Sequence, residues 1–176
     1  MAGLQDLIPF SVLSKQSIKK NEGYDPNIYN DTKKIATTGY GFNTEEAHVK
    51  KLLPKDVLDK KRGLTPEESD SIFESLYSTA TKDAMDFVTP EIFGQLPLEA
   101  KQVVVDMSYQ LGGPRLRGFE EMQKALKSGD METARKELLN SKYATQDTPN
   151  RALRNANLLS PQQNISSLST ILNKGK

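Results

Sequence analysis

The sequence predicts an α+β fold in which a small antiparallel β-sheet lobe is joined by a long helix to a helical bundle lobe. Two observations support this prediction. Residues 24–64 are rich in Gly, Asn, Asp, Thr and Tyr, and they contain short strand-like runs between turn residues. From residue 65 onward, apolar residues recur every three to four positions, which is the period of an amphipathic helix. A few short strands cannot stand alone, so the sheet needs helical partners.

The first elements are short. A helix is predicted over 11–21, and it ends near Glu22 because Gly23 is a typical helix stop. His48 is the one histidine of the chain, and we expect it in a solvated helix or turn without a functional role. Three strand-like runs lie between these points, at 27–29, 35–38 and 40–42.

The helical part of the chain opens with a strong start signal. Thr65 and Glu68 have the spacing of a reciprocal capping box, and Pro66 suits the first helical position. The apolar stripe of this helix extends to Val88. Shorter helices are predicted at 90–96, 119–126 and 131–139, and a last one begins with Thr148 as cap before Pro149.

The centre of the core is predicted in residues 97–111. This segment is apolar on most sides, and the glycines and proline of 112–114 end it. We expect the 176 residues to form one domain. Its predicted parts are a β-rich lobe (22–64), a helical lobe (1–21 and 65–159) and a polar C-terminal tail (160–176).

Composition and charge exclude several classes of protein. The chain has no cysteine, so disulfides, thiolate metal sites and cysteine nucleophiles are excluded. Its formal net charge of +1 argues against a nucleic-acid binder, which would carry a basic excess. Asp6 and Pro9 interrupt the N-terminal stretch, so we expect neither a signal peptide nor a membrane-inserted segment. With one histidine available, we expect catalysis to rest on carboxylates. Hydrolysis by two carboxylates and water needs no metal or cofactor, so we expect neither.

One group of residues is suited to chemistry. Glu22 falls at the end of the first helix, Asp31 beside the first strand and Thr37 on the next strand. A turn between the strands brings Asp31 and Thr37 back together. Hydrolysis of a glycosidic bond needs one carboxyl to protonate the leaving oxygen and another to activate water or stabilise the reacting carbon. A hydroxyl beside the second carboxyl can hold that water.

The spacing alone also fits a plainer interpretation. The chain has 23 acidic residues, and most charged side chains are solvated surface. A threonine in a strand ordinarily reflects strand propensity. The residues by themselves therefore leave both the catalytic and the surface interpretation open.

A family resemblance covers about residues 12 to 157. It rests first on three motifs in order: Glu22-Gly23, Tyr29-Asn30-Asp31 and Thr37-Thr38-Gly39-Tyr40-Gly41. These motifs resemble the phage-type lysozymes, glycoside hydrolase family twenty-four. Similar later signatures are Gly63-Leu64-Thr65, the segment 106–112, Gly118-Phe119 and the segment 148–152. The resemblance implies a two-lobed lysozyme-like fold. It also implies an inverting muramidase that cleaves the β-1,4 bond between N-acetylmuramic acid and N-acetylglucosamine.

The resemblance also implies roles for individual residues. Glu22 is the implied general acid, Asp31 the carboxylate that activates water, and Thr37 the side chain that positions that water. Arg151 is implied to face and support the acid, whereas taken alone it fits an exposed position in a first helical turn. Tyr109 fits core packing equally well. Saccharide contacts are implied for Asn43, Tyr109, Gln110, Met122 and Glu137.

Two departures from the family pattern lie in the sheet. The family has a glycine two or three residues after its aspartate, where this chain has Thr32-Lys33-Lys34. It often has a histidine after the Gly-x-Gly motif, where Phe42 stands here, so a buried His–Asp pair of some members is missing. Neither departure touches the three catalytic side chains.

The resemblance implies bacterial peptidoglycan as substrate, in phage-mediated lysis or wall penetration. We expect a monomer that is made in the host cytoplasm and acts on the periplasmic wall after release, or is carried in the virion with other virion proteins. A non-catalytic lysozyme-fold module, which binds peptidoglycan or builds the virion, is one alternative. A helical adaptor is another, but it leaves the Gly-rich stretch 22–41 unexplained. A lytic transglycosylase is the nearest enzymatic alternative, because it needs the glutamate but no water-activating aspartate.

Overall fold

The computed structural model describes residues 9–31 and 34–160. Within these ranges the chain is mostly helical with one small antiparallel sheet, so the predicted α+β class is confirmed. The strands are β1 (Asp25–Asn30), β2 (Ala36–Gly39) and β3 (Phe42–Asn43). The helices are α1 (Phe10–Glu22), α2 (Ala47–Lys50), α3 (Lys55–Leu58), α4 (Pro66–Val88), α5 (Pro90–Gln95), α6 (Leu98–Leu111), α7 (Gly113–Leu116), α8 (Glu120–Ser128), α9 (Met131–Leu139) and α10 (Pro149–Leu158). A π-helical turn, Tyr143–Asp147, precedes α10.

The chain divides into two compact units within α4. The first unit is Met1–Thr79 and contains α1, the sheet, α2, α3 and the first part of α4. The second unit is Ala80–Lys176 and contains the elements from the rest of α4 to α10. The expected β-rich and helical lobes of one domain stay a prediction, and the expected tail lies outside the described residues from 161 onward.

The sheet of the first unit has the order β1-β2-β3, with antiparallel pairing throughout. Tyr29 faces Thr37 across the β1–β2 pair, and Thr37 faces Asn43 across the β2–β3 pair. The three predicted strands are confirmed to within two residues at each end, except that the last run begins with a turn at Tyr40-Gly41 rather than with a strand. This tight turn is what brings β3 back beside β2.

An aromatic cluster forms part of the core of the first unit. Phe42 is buried, its ring centroid lies 6.1 Å from that of Tyr40, and the Tyr40 ring lies 5.6 Å from that of Phe73. Lys19 of α1 lies 4.7 Å from the Tyr40 and Phe73 ring centroids, and its Nζ pairs with Asp70 at 2.7 Å. Cation–π contacts of this kind are attractive. These contacts hold the end of α1 beside the sheet. The Phe42 ring occupies the position where the family often has a histidine.

The predicted start of α4 is confirmed in its hydrogen bonds. The N–H of Glu68 donates to Thr65 Oγ1 at 3.2 Å, and the N–H of Thr65 donates to a Glu68 carboxylate oxygen at 2.9 Å. This is a reciprocal capping box. Arg62 donates two further bonds of 2.7 Å to the same carboxylate. The Arg62 bonds first, and then the Thr65 bond, lower the pKa of Glu68 to about 2.

Helix α6 is a buried helix of the second unit, as its apolar run predicts. The side chains from Val103 to Met107 are buried, and Gly112 ends the helix at a φ of +73°. Gly113-Pro114 does not end helical structure, because it starts the short helix α7. A proline fits there because the first helical residues have no partner for their N–H groups.

The later helices follow their predicted positions. Helix α8 begins one residue later than predicted and ends at Ser128, two residues beyond its predicted end, with Gly129 as its C-cap. Helix α9 has its predicted bounds. Helix α10 begins at Pro149 with Thr148 at the N-cap position, as predicted, although the Thr148 side chain forms no capping hydrogen bond. Within residues 9–31 and 34–160, no helix combines the length and apolar character needed to cross a membrane.

Candidate active site

Glu22 is the last residue of α1, and the backbone fixes its place. Gly23 follows at a φ of +71°, and its N–H donates to the Lys19 carbonyl at 3.1 Å. A left-handed residue at this point ends the helix. Ile18 is fully buried and anchors the same turn. The Glu22 side chain is therefore half-buried at the end of α1 and is not a fully exposed surface group.

The turn between β2 and β3 brings its backbone against the Glu22 carboxyl. Gly41 has a φ of +73°, and a Cβ on this residue would lie 2.5 Å from Glu22 Oε2. Ordinary contacts of a Cβ are 3.4 Å or longer. Glycine suits this position because of its conformation, and a side chain here would force the Glu22 carboxyl to move.

Asp31 is held in place by the backbone of Ile35. The N–H of Ile35 donates to Asp31 Oδ1 at 2.8 Å, and the N–H of Asp31 donates to the Ile35 carbonyl at 2.9 Å. The N–H of Lys34 closes the turn by donating to the Asp31 carbonyl at 2.9 Å. Lys34 has a φ of +63°, a conformation that favours glycine. A lysine thus occupies the strained position for which the family pattern has a glycine, while Thr32 and Lys33 lie outside the described residues.

Thr37 is tied to the same Ile35. Its Oγ1 donates to the Ile35 carbonyl at 3.0 Å, and its side chain is buried. Because the hydroxyl proton is engaged, Thr37 can serve a further partner as a hydrogen-bond acceptor. The Ile35 backbone thereby holds Asp31 and Thr37 close to each other, as predicted.

Tyr29 lies beside Thr37 in the sheet, although no role for it was predicted. It lies directly opposite Thr37, and residues opposite one another in an antiparallel pair share a face of the sheet. Burial raises the pKa of its phenol, and the negative charges of Asp25, Asp31 and Glu22 raise that pKa further. The charges of both implied catalytic carboxyls, Glu22 and Asp31, therefore raise the pKa of the same Tyr29 hydroxyl. The sequence did offer a sign of this position. Tyr29 lies two residues before Asp31, and alternate residues of a strand point to the same face of the sheet.

Asn43 and His48 lie near the far edge of the sheet. Asn43 Oδ1 accepts from the N–H of Glu45 at 3.0 Å, and its Nδ2 donates to Glu46 at 3.3 Å. This is a local turn arrangement, and the predicted saccharide contact of Asn43 stays a prediction. His48 is exposed on α2, 3.5 Å from the Glu46 carboxylate, as its predicted solvated position requires. Within the described residues, no group of three His, Asp or Glu side chains is placed to hold a metal ion.

Arg151, in the second unit, is buried rather than exposed. Its Nε and Nη2 donate to the two carboxylate oxygens of Asp106 at 2.9 and 2.8 Å, and Asn155 Nδ2 donates to the same carboxylate at 2.8 Å. Such bidentate pairs are strong and directional. The surface interpretation of Arg151 is wrong, while its implied support of Glu22 stays a prediction. Asp106 was missed, although a carboxyl within the apolar run 97–111 was a usable signal.

Tyr109 and Gln110 lie half-buried near the end of α6. The hydroxyl of buried Tyr143 donates to Gln110 Oε1 at 2.8 Å. Burial, followed by the charge of Asp106, raises the pKa of Tyr143 to about 12, so its phenol keeps its proton. The Gln110 amide is thus held in a defined orientation, and saccharide contact by Tyr109 and Gln110 stays a prediction.

Met122 and Glu137 line one pocket of the second unit. The pocket has a volume of about 300 Å³ and is also lined by Phe119. The Met122 side chain is almost entirely buried, so it forms part of the packed wall. The structure brings these two predicted binding residues together, and their contact with saccharide stays a prediction. The remaining lining residues are Gly118, Glu120, Glu121, Asn140 and Ser141.

Fold and site together define a class of protein. The chain holds one carboxyl at a helix end and a second beside a threonine on a small sheet, and two carboxyl groups are what glycoside hydrolysis requires. Residues 19–156 match the family model described as phage lysozyme, so the chain belongs to the phage lysozyme family. This confirms the resemblance found in the sequence and makes the chain a lysozyme-like peptidoglycan hydrolase.

A curated relative is similar over most of its length. The protein named "Probable T4-type lysozyme 1" from Dictyostelium discoideum is 29% identical over 152 residues. The match covers 80% of this chain and 89% of the relative.

Proposed function

We propose that the protein is an inverting muramidase that cleaves the β-1,4 bond between N-acetylmuramic acid and N-acetylglucosamine. The Ile35 backbone carries this proposal, because it fixes Asp31 and Thr37 together while Glu22 comes from a separate helix end. An inverting glycosidase needs one carboxyl that delivers a proton and another that activates a water on the opposite face of the sugar.

In the proposed steps the enzyme gives one proton to the substrate and takes one proton from water. Glu22 gives its proton to the glycosidic oxygen as the bond between that oxygen and the anomeric carbon breaks. A water oxygen bonds to the anomeric carbon from the other face, and Asp31 takes the proton that this water loses. Thr37 accepts a hydrogen bond from the second proton of the water, since its own proton is held by the Ile35 carbonyl.

The remaining assignments concern substrate and support. We assign saccharide contact to Asn43, Tyr109, Gln110, Met122 and Glu137. The shared pocket of Met122 and Glu137, and the Tyr143 bond that orients Gln110, support this assignment. We assign Arg151 as the residue that supports the catalytic acid. Its two hydrogen bonds to Asp106 favour this assignment because they fix the orientation of the guanidinium group.

We further propose a role in phage-mediated lysis or wall penetration. In this proposal the chain is made in the host cytoplasm, and it acts on the periplasmic wall after release or is carried in the virion. A net charge of +1 gives little electrostatic steering towards the anionic wall. Weak steering fits an enzyme that is delivered to its substrate.

The test is digestion of purified peptidoglycan in ¹⁸O-labelled water by the wild type and by Glu22→Gln. We expect the wild type to release muramic-acid reducing ends that carry one labelled oxygen. Glu22→Gln should lower the rate by about 10³-fold or more, as loss of an essential catalytic group does. Glu67→Gln is the matched control, because it neutralises an exposed carboxyl in the first turn of α4.

Asp31→Asn separates the alternatives, because an asparagine oxygen can still accept from the Ile35 N–H. Cleavage that survives in Asp31→Asn and incorporates no label would identify a lytic transglycosylase. A folded wild type that binds walls of several chemotypes and cleaves none would instead be a non-catalytic module.

A further inference from the structure

One face of the sheet in the first unit carries a tyrosine beside the residues of the proposed nucleophile site. Tyr29 lies opposite Thr37, and the ladder continues through the backbone bond from Asp31 to Ile35. Alternate residues of a strand share a face, so Tyr29, Asp31 and Thr37 lie on the same side. Tyr29 is 37% exposed, so its ring is accessible to solvent and to a ligand at this face.

The three side chains differ in what they offer to a water molecule. Thr37 uses its proton on the Ile35 carbonyl and therefore offers an acceptor. Asp31, ionised in its proposed role, offers acceptors as well. The Tyr29 phenol keeps its proton, because burial and the neighbouring carboxylates raise its pKa. The face thus presents two acceptors and one donor.

We propose that Tyr29 is a further catalytic residue whose hydroxyl donates a hydrogen bond to the oxygen of the nucleophilic water. The proposal rests on the hydrolysis proposed above. A water has two protons and two lone pairs in a tetrahedral arrangement. The protons go to Asp31 and Thr37, one lone pair accepts from Tyr29, and the other faces the anomeric carbon.

This arrangement assigns Tyr29 two effects on the reaction. It selects the orientation of the water in which a lone pair is aimed at the carbon, which is a gain in positioning. It also stabilises the negative charge that builds on the water oxygen as Asp31 removes the proton. Tyr29 keeps its own proton throughout, so the proton balance of the reaction is unchanged.

Tyr29→Phe tests the proposal, because it removes the hydroxyl and keeps the ring. We expect kcat on purified peptidoglycan to fall about tenfold, the order expected for one hydrogen bond, while KM and the melting temperature stay unchanged. Tyr24→Phe is the matched control. Tyr24 is 45% exposed in the same unit, and its hydroxyl lies 3.3 Å from Ser69 Oγ, so this variant should keep the wild-type kcat.

A double-mutant cycle with Thr37→Val tests whether both residues hold the same water. If they do, the combined loss in kcat is smaller than the product of the single losses. Losses that multiply would overturn the proposal. A Tyr29→Phe enzyme with the kcat of Tyr24→Phe would also overturn it, as would a rise in KM at constant kcat, which would make Tyr29 a sugar contact.

The two proposals fail in distinguishable ways. Wild-type cleavage that Glu22→Gln abolishes and Tyr29→Phe leaves intact removes the role of Tyr29 and keeps the hydrolysis. A folded wild type without cleavage removes the hydrolysis and Tyr29's role with it.

Discussion

Replacing Gly41 by alanine tests the close approach between the β2–β3 turn and Glu22. The new Cβ would lie 2.5 Å from Glu22 Oε2 and 3.2 Å from its carboxyl carbon. Ordinary contact begins near 3.4 Å, so the carboxyl has to retreat by about 1 Å. The φ of +73° adds about 1–2 kcal/mol of strain for any residue with a Cβ.

Two measurements follow from these magnitudes. The free energy of unfolding in urea should fall by about 1–2 kcal/mol, the strain of the left-handed backbone. The rate of reducing-end release from purified peptidoglycan should fall by about 10²-fold, since a misplacement of about 1 Å has an effect of that order. Activity is measured where the variant is fully folded, so that the two effects are separated.

Gly129→Ala is the matched control for backbone strain. Gly129 has a φ of +78°, and an added Cβ would meet nothing within 4 Å. This variant should lose a similar amount of stability and keep its activity. The reasoning about Glu22 is refuted if Gly41→Ala cleaves peptidoglycan as fast as Gly129→Ala.

Three further predictions concern stability, each measured by urea unfolding. Asp106→Ala should lower the free energy of unfolding by about 3–5 kcal/mol, because buried Arg151 loses the carboxylate that accepts from two of its N–H groups. A loss below about 1 kcal/mol would contradict this prediction. Lys34→Gly should raise it by about 0.5 kcal/mol, because glycine adopts a φ of +63° without strain, and a lower stability would count against that strain. Glu68 has a folded pKa of about 2, below its ordinary 4.5, so its stabilising contribution is present above pH 4.5 and is lost as the pH falls towards 2. Glu68→Gln should therefore lose less stability than the wild type on acidification, and an equal loss would contradict the assignment.

Features set by short-range chemistry were predictable. The capping box of Thr65 and Glu68 needs partners three residues apart, so its spacing alone predicted both hydrogen bonds. Gly23 and Gly129 end helices because a single residue adopts the left-handed conformation. Elements of four residues, such as α3 and α7, escaped prediction because they are too short to show a period.

The candidate site was predictable in part. Asp31 and Thr37 were expected to meet because one hairpin turn separates them, and the Ile35 backbone joins them. The burial of Arg151 was not expected, because a residue in a first helical turn gives no local sign of what lies beneath it. Its partner Asp106 is 45 residues away along the chain, and no local pattern links the two.

The sequence by itself determined the residue types of the site and the elements that carry them: a glutamate at a helix end, and an aspartate and a threonine on neighbouring strands. Helix ends, turns and hydrophobic periodicity depend on residues close together in the sequence, so these placements could be predicted without knowing the fold. Only the tertiary structure decided that Gly41 lies against Glu22, and that the charges of Glu22 and Asp31 both raise the pKa of Tyr29. Those contacts arise from packing between separate elements, and packing depends on the shape of the whole unit rather than on spacing along the chain.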